Sequence, residues 1–247
     1  MFAIFRKEIS GFFSSLTGYI VIIFFLLING LFMWVFPGEW NILDNGYAGL
    51  DTLFLLSPWV FLFLVPAVTM RMIAEEKRLG TIELIYSRPI SERGLIWGKY
   101  FASVCLVLLA LLPCLIYIMS VYLLGETHGN LDRGGTWGAF IGLFFLASVY
   151  ASAGIFASSL TDNQVIAFII AVLICFFLFM GFDSFAYLPG FKNIDEFIIR
   201  LGINEHYKSI SRGVLDISDI VYFVAVAVIL NEATRFNLLS GKWKNKS

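Results

Sequence analysis

The 247 residues are 59% hydrophobic and only 14% charged, with a formal net charge of −1. A soluble domain carries roughly a quarter charged residues, so this chain lacks the polar shell that a water-soluble fold requires. It also has no basic stripe to suit nucleic acid. Several apolar runs reach the ~20 residues that cross hydrocarbon. The fold class is therefore an all-α polytopic membrane protein, read as one transmembrane domain over residues 1–247.

Residues 1–15 precede the first span. Phe2, Phe5, Ile9, Phe12 and Leu16 recur at helical spacing, with Arg6, Lys7, Ser10 and Ser14 on the other side. That pattern predicts an N-terminal helix in the membrane interface, apolar face down, and packing on other spans is compatible with it. The run 16–36 is long enough to span, and the Pro37-Gly38-Glu39-Trp40 that follows is not a small-x-small cleavage site. It reads as an uncleaved first span.

Further spans fall at 53–73, 95–124, 135–160, 164–186 and 220–239. The third is longer than the bilayer needs, and Pro113 predicts a kink in it. In the fourth, Gly138 and Gly142, Ala147 and Ala151, and Gly154 and Ser158 are pairs four apart, a spacing that permits close helix approach. Their use is packing within the chain or a seam with a second copy. Before the sixth span, residues 187–219 form an outer segment too polar to cross. There Phe191, Ile194, Phe197, Ile198 and Leu201 stand opposite Lys192, Asp195, Glu196 and Arg200. The stripe predicts re-entrant amphipathic helices at the outer leaflet, with an ordinary outer loop as the alternative. Cys105, Cys114 and Cys175 lie in apolar runs and read as small buried hydrophobes.

Sidedness follows from the basic residues. Twelve Lys and Arg flank one side and five the other, and residues 37–51 contain none. Both termini and the segment between spans two and three are thereby expected on the cytoplasmic side.

An ion-coupled carrier needs titratable groups within the bilayer. The fourth span contains no charged residue, the fifth has only Asp183 near its outer end, and Glu232 in the sixth has Arg235 three positions on, which predicts a local ion pair. This disfavours a secondary carrier. No enzyme motif emerges and no cofactor is implied. The nearest approach to a phosphate loop, Gly94 to Tyr100, is one residue short and ends in Tyr. Any energy source must then be another subunit.

The most charged stretch is 71–99. Gly80 opens a turn, Thr81 is expected as an N-cap, and Glu83 sits where the helix dipole favours an acid. Pro89 stops the short helix, and Ser91 and Glu92 restart another. Leu84, Ile85 and Tyr86 are left to fill a partner's groove. A snorkelling loop without a partner would explain the bases but not the four acids Glu75, Glu76, Glu83 and Glu92 among them.

Glu75-Glu76-Lys77-Arg78-Leu79-Gly80-Thr81-Ile82-Glu83-Leu84, then Pro89-Ile90-Ser91, then Gly98-Lys99, resembles the ABC-2 class of ATP-binding-cassette permeases. Val65 to Arg71 and Arg212 to Asp216 are similar to the class as well. More narrowly, the chain resembles the gliding-motility-associated permease subunits of Bacteroidetes. The resemblance implies a non-catalytic export permease of the bacterial inner membrane, with six spans, a cytoplasmic coupling helix within 75–92 and re-entrant outer helices. Its implied partners are a cytoplasmic ABC ATPase and a second permease half or a membrane subunit with a periplasmic domain. The coupling positions it implies are Glu75, Glu76, Gly80, Thr81, Glu83, Leu84 and Pro89, and the helix-packing positions read above are Gly138, Gly142, Gly154 and Ser158. A module that drives periplasmic machinery without moving a substrate is the alternative.

Overall fold

The computed structural model describes residues 1–86, 91–125, 131–186 and 195–244. Within hydrocarbon every backbone polar group must find a partner inside the protein, and among the described residues the chain does so with helices alone. Helix α1 (Phe2–Phe13) leads into α2 (Leu16–Gly30), which continues through a π-turn at Leu31–Val35 to a short α3 (Ile42–Asn45). Then come α4 (Asp51–Thr69), α5 (Arg71–Arg78) and α6 (Thr81–Tyr86). After them α7 (Glu92–Leu111) and α8 (Leu115–Leu124) are parted by a 3₁₀ turn at Leu112–Cys114, where the Pro113 ring interrupts the α-helical ladder.

The second half holds α9 (Arg133–Leu160), α10 (Gln164–Phe176) with a π-turn at Phe177–Gly181, α11 (Phe182–Ala186), α12 (Asp195–Arg200), α13 (Ile203–Ser211) and α14 (Ile217–Lys244). Six stretches are long and apolar enough to cross a membrane: Gly18–Val35, Asp51–Arg78, Glu92–Leu124, Arg133–Leu160, Gln164–Ala186 and Ile217–Ser240. The protein is an all-α polytopic membrane protein.

Helix α9 is the hub, with α4, α5, α7, α10, α13 and α14 packed around it. Its small residues make this possible. A Cβ at Gly138 would collide with the Ile210 carbonyl and come within 2.8 Å of Gly213 Cα, and one at Gly142 would lie 3.2 Å from the Tyr207 ring. The outer helices behave oppositely. Ile23 and Leu27 of α2, Ile169 and Leu173 of α10, and Val221 and Ile229 of α14 are exposed, as lipid-facing side chains must be.

Pro58 illustrates how the chain compensates a broken ladder. A proline has no N–H, so the carbonyl four residues back, that of Phe54, loses its helical donor. The Tyr207 hydroxyl of α13 donates to that carbonyl at 2.7 Å, in a buried setting. Tyr207→Phe is expected to lower stability by about 1–3 kcal/mol, the cost of an unpartnered buried acceptor. The same change made on Pro58→Ala, which restores an N–H, should cost measurably less when both are followed by thermal unfolding in detergent.

The stripe expected before the sixth span divides in two. Phe191, Ile194 and Lys192 lie outside the described residues. Phe197 of α12 and Leu201 just after it are exposed. Helix α13 is the one that turns back into the bundle, burying Ile203, Asn204, Tyr207 and Ile210.

Candidate functional site

The charged end of the molecule is built around the junction of α4 and α5. A helix that starts afresh leaves its first N–H groups without intrahelical partners. Here α9 supplies the missing acceptor, because the Ser158 hydroxyl accepts from Ile73 N at 3.0 Å and Ala74 N at 2.9 Å while donating to the Met70 carbonyl at 2.8 Å. One turn earlier, Gly154 lets the helices come close enough: a Cβ there would overlap the Thr69 hydroxyl and sit 2.9 Å from Thr69 Cβ. At the same end of α9, the Ser159 carbonyl accepts from Lys77 Nζ and from Asn237 Nδ2, the latter at 2.6 Å. Those two donors satisfy a helix-terminal carbonyl and tie α5 and α14 to the hub.

Below this junction lies a cluster of four charges. Lys99 on α7 is 0% exposed, and its ammonium donates to Glu8 Oε1 at 2.7 Å and the Met72 carbonyl at 2.6 Å. It also forms an ion pair with Glu76 Oε1 at 2.9 Å. Lys7 on α1 reaches the same Glu76 oxygen at 2.7 Å. Burial alone would pull the Lys7 ammonium down. Its hydrogen bond to Glu76 and the negative fields of Glu76, Glu8 and Glu75 outweigh that and hold it above its ordinary value. The cluster is neutral and fastens three elements, α1, α5 and α7, to one another. Gly98 makes room for α1, since a Cβ there would lie 2.9 Å from the Met1 carbonyl and 3.1 Å from Ile4.

Helix α6 projects beyond the cluster. Gly80 adopts φ +68°, a left-handed turn that glycine takes without steric cost. Thr81 is not the N-cap expected of it. The helix already begins at Thr81, and the hydroxyl turns back to donate to the Glu76 carbonyl at 3.4 Å. Glu83 and Leu84 are exposed, Leu84 by 66%. A cleft of about 770 Å³ opens between α1, α5 and α6, with Lys7 and Glu8 on one wall and Glu75, Glu76, Thr81 and Leu84 on the other.

The structure thus brings Glu75, Glu76, Thr81 and Leu84 to one cleft, with Gly80 as the turn and Glu83 outside on α6. Pro89 lies outside the described residues. Glu76 is 7% exposed, and its carboxylate is turned to Lys7 and Lys99. The helix-packing residues split between the two ends of α9, Gly154 and Ser158 here, Gly138 and Gly142 at the other. Sequence reading missed Lys7, Glu8 and Lys99 as site residues. A signal was present for Lys99, a cation one turn inside a span. Glu232 holds Arg235 at 3.0 Å as expected, and Arg93 of α7 at 3.2 Å besides.

A family profile described as ABC-2 family transporter protein matches residues 43–202, more than half of the chain. The chain belongs to the ABC-2 transporter family. The matched stretch takes in α4 to α12, with the Ser158 junction, Glu76, Lys99 and the exposed α6 all inside it. Glu8 and Lys7 precede it, and α13 and α14 follow it. Membership makes the chain a membrane subunit of an ABC transporter, a permease, and implies an ABC ATPase as partner. No curated protein matches the sequence.

Proposed function

We propose that α6 is the coupling helix of an ATP-driven export permease, docking on its ATPase through Glu83 and Leu84, and that the Lys99 cluster carries its movement into the membrane. The observation that supports this most is the cluster's position. Directly behind an exposed short helix, a fully buried ammonium joins α1, α5 and α7. A push on α6 then moves α5 together with the N-terminal helix and the third span. Through Ser158 it also reaches α9. In this reading the charged end is cytoplasmic, as the distribution of Lys and Arg indicates, and the membrane is the bacterial inner membrane. Transport needs a second permease half or a membrane subunit with a periplasmic domain. The resemblance to GldF-type permeases supports a role in gliding motility or surface-protein export.

Glu83→Lys and Leu84→Asp are each expected to abolish co-purification of the ATPase while leaving membrane insertion intact. Normal association in both variants would remove α6 from the coupling role. A proline at Thr81 is a poor probe, because the first helical position tolerates it. Reconstitution separates export from the mechanical alternative: ATP-dependent substrate movement supports the permease, and ATPase turnover without movement supports a module that only transmits force.

A further inference from the structure

At the end opposite the charged island, α12, α13 and α14 meet around one histidine. His206 on α13 is 15% exposed at its side chain, and Asp219 on α14 is 7% exposed. His206 Nδ1 lies 2.7 Å from Asp219 Oδ1, and Nε2 lies 2.8 Å from the Arg200 carbonyl at the end of α12. The ring stacks on Tyr222 with centroids 3.9 Å apart, and the Tyr222 hydroxyl donates to the Leu201 carbonyl. Three helix ends therefore converge on a single imidazole.

The proton count of this arrangement is constrained. A carbonyl only accepts, and an ionised carboxylate only accepts. A neutral imidazole has one N–H, so one of its nitrogens would point a lone pair at an oxygen lone pair. With Asp219 ionised, both contacts are favourable only when Nδ1 and Nε2 both carry hydrogens. Stacking on the Tyr222 face favours the cation as well. The second oxygen of Asp219 is buried and has no hydrogen-bond partner among the described residues, so the charge of this carboxylate is compensated chiefly by His206. Removing one member of such a pair leaves an uncompensated buried charge.

We propose that His206 is a proton-operated latch, which holds the α12–α13 hairpin on α14 while both ring nitrogens are protonated and loosens it when one proton is lost. The consequence reaches further than the hairpin's own edge. Helix α13 also packs on α9 at Gly138 and Gly142 and bonds the Phe54 carbonyl of α4 through Tyr207, so the latch sets how firmly this whole end is closed. The sign is definite: closure is present at low pH and weakens as pH rises. Few other groups could produce it. Of the elements packed on α13, α9 offers Arg133, α12 offers Asp195, Glu196 and Arg200, the π-turn before α11 offers none, and α14 offers Asp219. Asp183 of α11 faces Asn204, which donates to it at 2.6 Å. Glu205 and Lys208 are on α13 itself. None of these is an imidazole.

The test uses the full chain in lipid nanodiscs, with His128→Gln so that His206 is the sole histidine. Nitrogen-15 spectra of labelled histidine report the two ring nitrogens, and hydrogen exchange, corrected for its chemical pH dependence, reports the amides of Ile203–Ser211. We expect both nitrogens protonated while the hairpin is protected, and exchange roughly ten- to a hundredfold faster once one is lost, the scale of a charge-assisted hydrogen bond. His206→Gln should exchange at the fast rate at every pH. The latch is overturned if a ring nitrogen is already bare while the hairpin stays protected, or if His206→Gln keeps the wild-type pH dependence. Should His206→Gln fail to fold, the spectra of the protein that retains His206 decide the matter alone.

Discussion

Lys99→Met is expected to cost about 3–5 kcal/mol of stability, the typical loss when one partner of a buried ion pair is removed. The reason lies in what stays behind. Glu76, 7% exposed, already has one oxygen without a partner among the described residues, and it would lose one of the two cations on the other. Among the described residues Glu8 would keep only Lys7 as an ion-pair partner, at 3.8 Å. The Met72 carbonyl would lose its donor too. Adding Glu8→Gln to Lys99→Met should recover more than half of the loss, because it leaves Lys7 and Glu76 as a balanced pair. Lys99→Arg should fall between, since a planar fork does not reproduce three contacts converging on one ammonium. Denaturation of the purified chain in mixed micelles measures all three. A Lys99→Met variant within about 1 kcal/mol of the parent, the worth of a surface pair, would show that the cluster is not what fastens α1, α5 and α7.

Gly154→Ala carries the second large effect, although it adds a single methyl. That carbon would overlap the Thr69 hydroxyl and press on Thr69 Cβ, and Thr69 is itself fixed by a 2.9 Å bond to the Val65 carbonyl. Overpacking of a tight contact costs about 1–3 kcal/mol. The cost extends beyond the collision. Forcing α4 from α9 also stretches the Ser158 bonds to Ile73 and Ala74, so α5 loses its cap and α6 its anchorage. Thr69→Ala should relieve much of this, and the double variant should show a coupling of about 1–2 kcal/mol. Additive losses would mean that α9 accommodates the methyl elsewhere. If α6 is the coupling helix, Gly154→Ala should also weaken ATPase association in fully inserted protein, and Thr69→Ala should restore it.

These two sites differ in how far they could be read beforehand. Gly154 and Ser158 were singled out as a pair four apart that permits close approach, and that spacing is a local property of one helix. Which helix approaches is not local. The partner Thr69 closes α4, so α5 to α8 and most of α9 lie between it and Gly154, and Ser158 acts by hydrogen-bonding backbone groups 84 and 85 residues away. In the sequence Lys99 is a basic residue near a membrane boundary and the end of the Gly98-Lys99 motif, with nothing beside it to mark a partner. Its side chain is fully buried because Glu8, 91 residues earlier in the chain, folds back onto it. Thr81 shows the reverse case: an N-cap residue type follows a turn glycine, yet the Glu76 carbonyl one turn back claims the hydroxyl.

By itself the sequence determined the class of molecule: apolar length and scarce charge require a membrane, and a membrane requires closed backbone bonding, hence helices. It also determined where those helices break, because Pro113 and Gly80 act on their own neighbours' backbone. Only the tertiary structure decided which charges are buried, which carbonyl Tyr207 rescues, and that both nitrogens of His206 face acceptors. Each of those depends on atoms brought together from distant parts of the chain, up to 153 residues apart for Tyr207 and Phe54, and no periodicity within a single segment encodes such a distance.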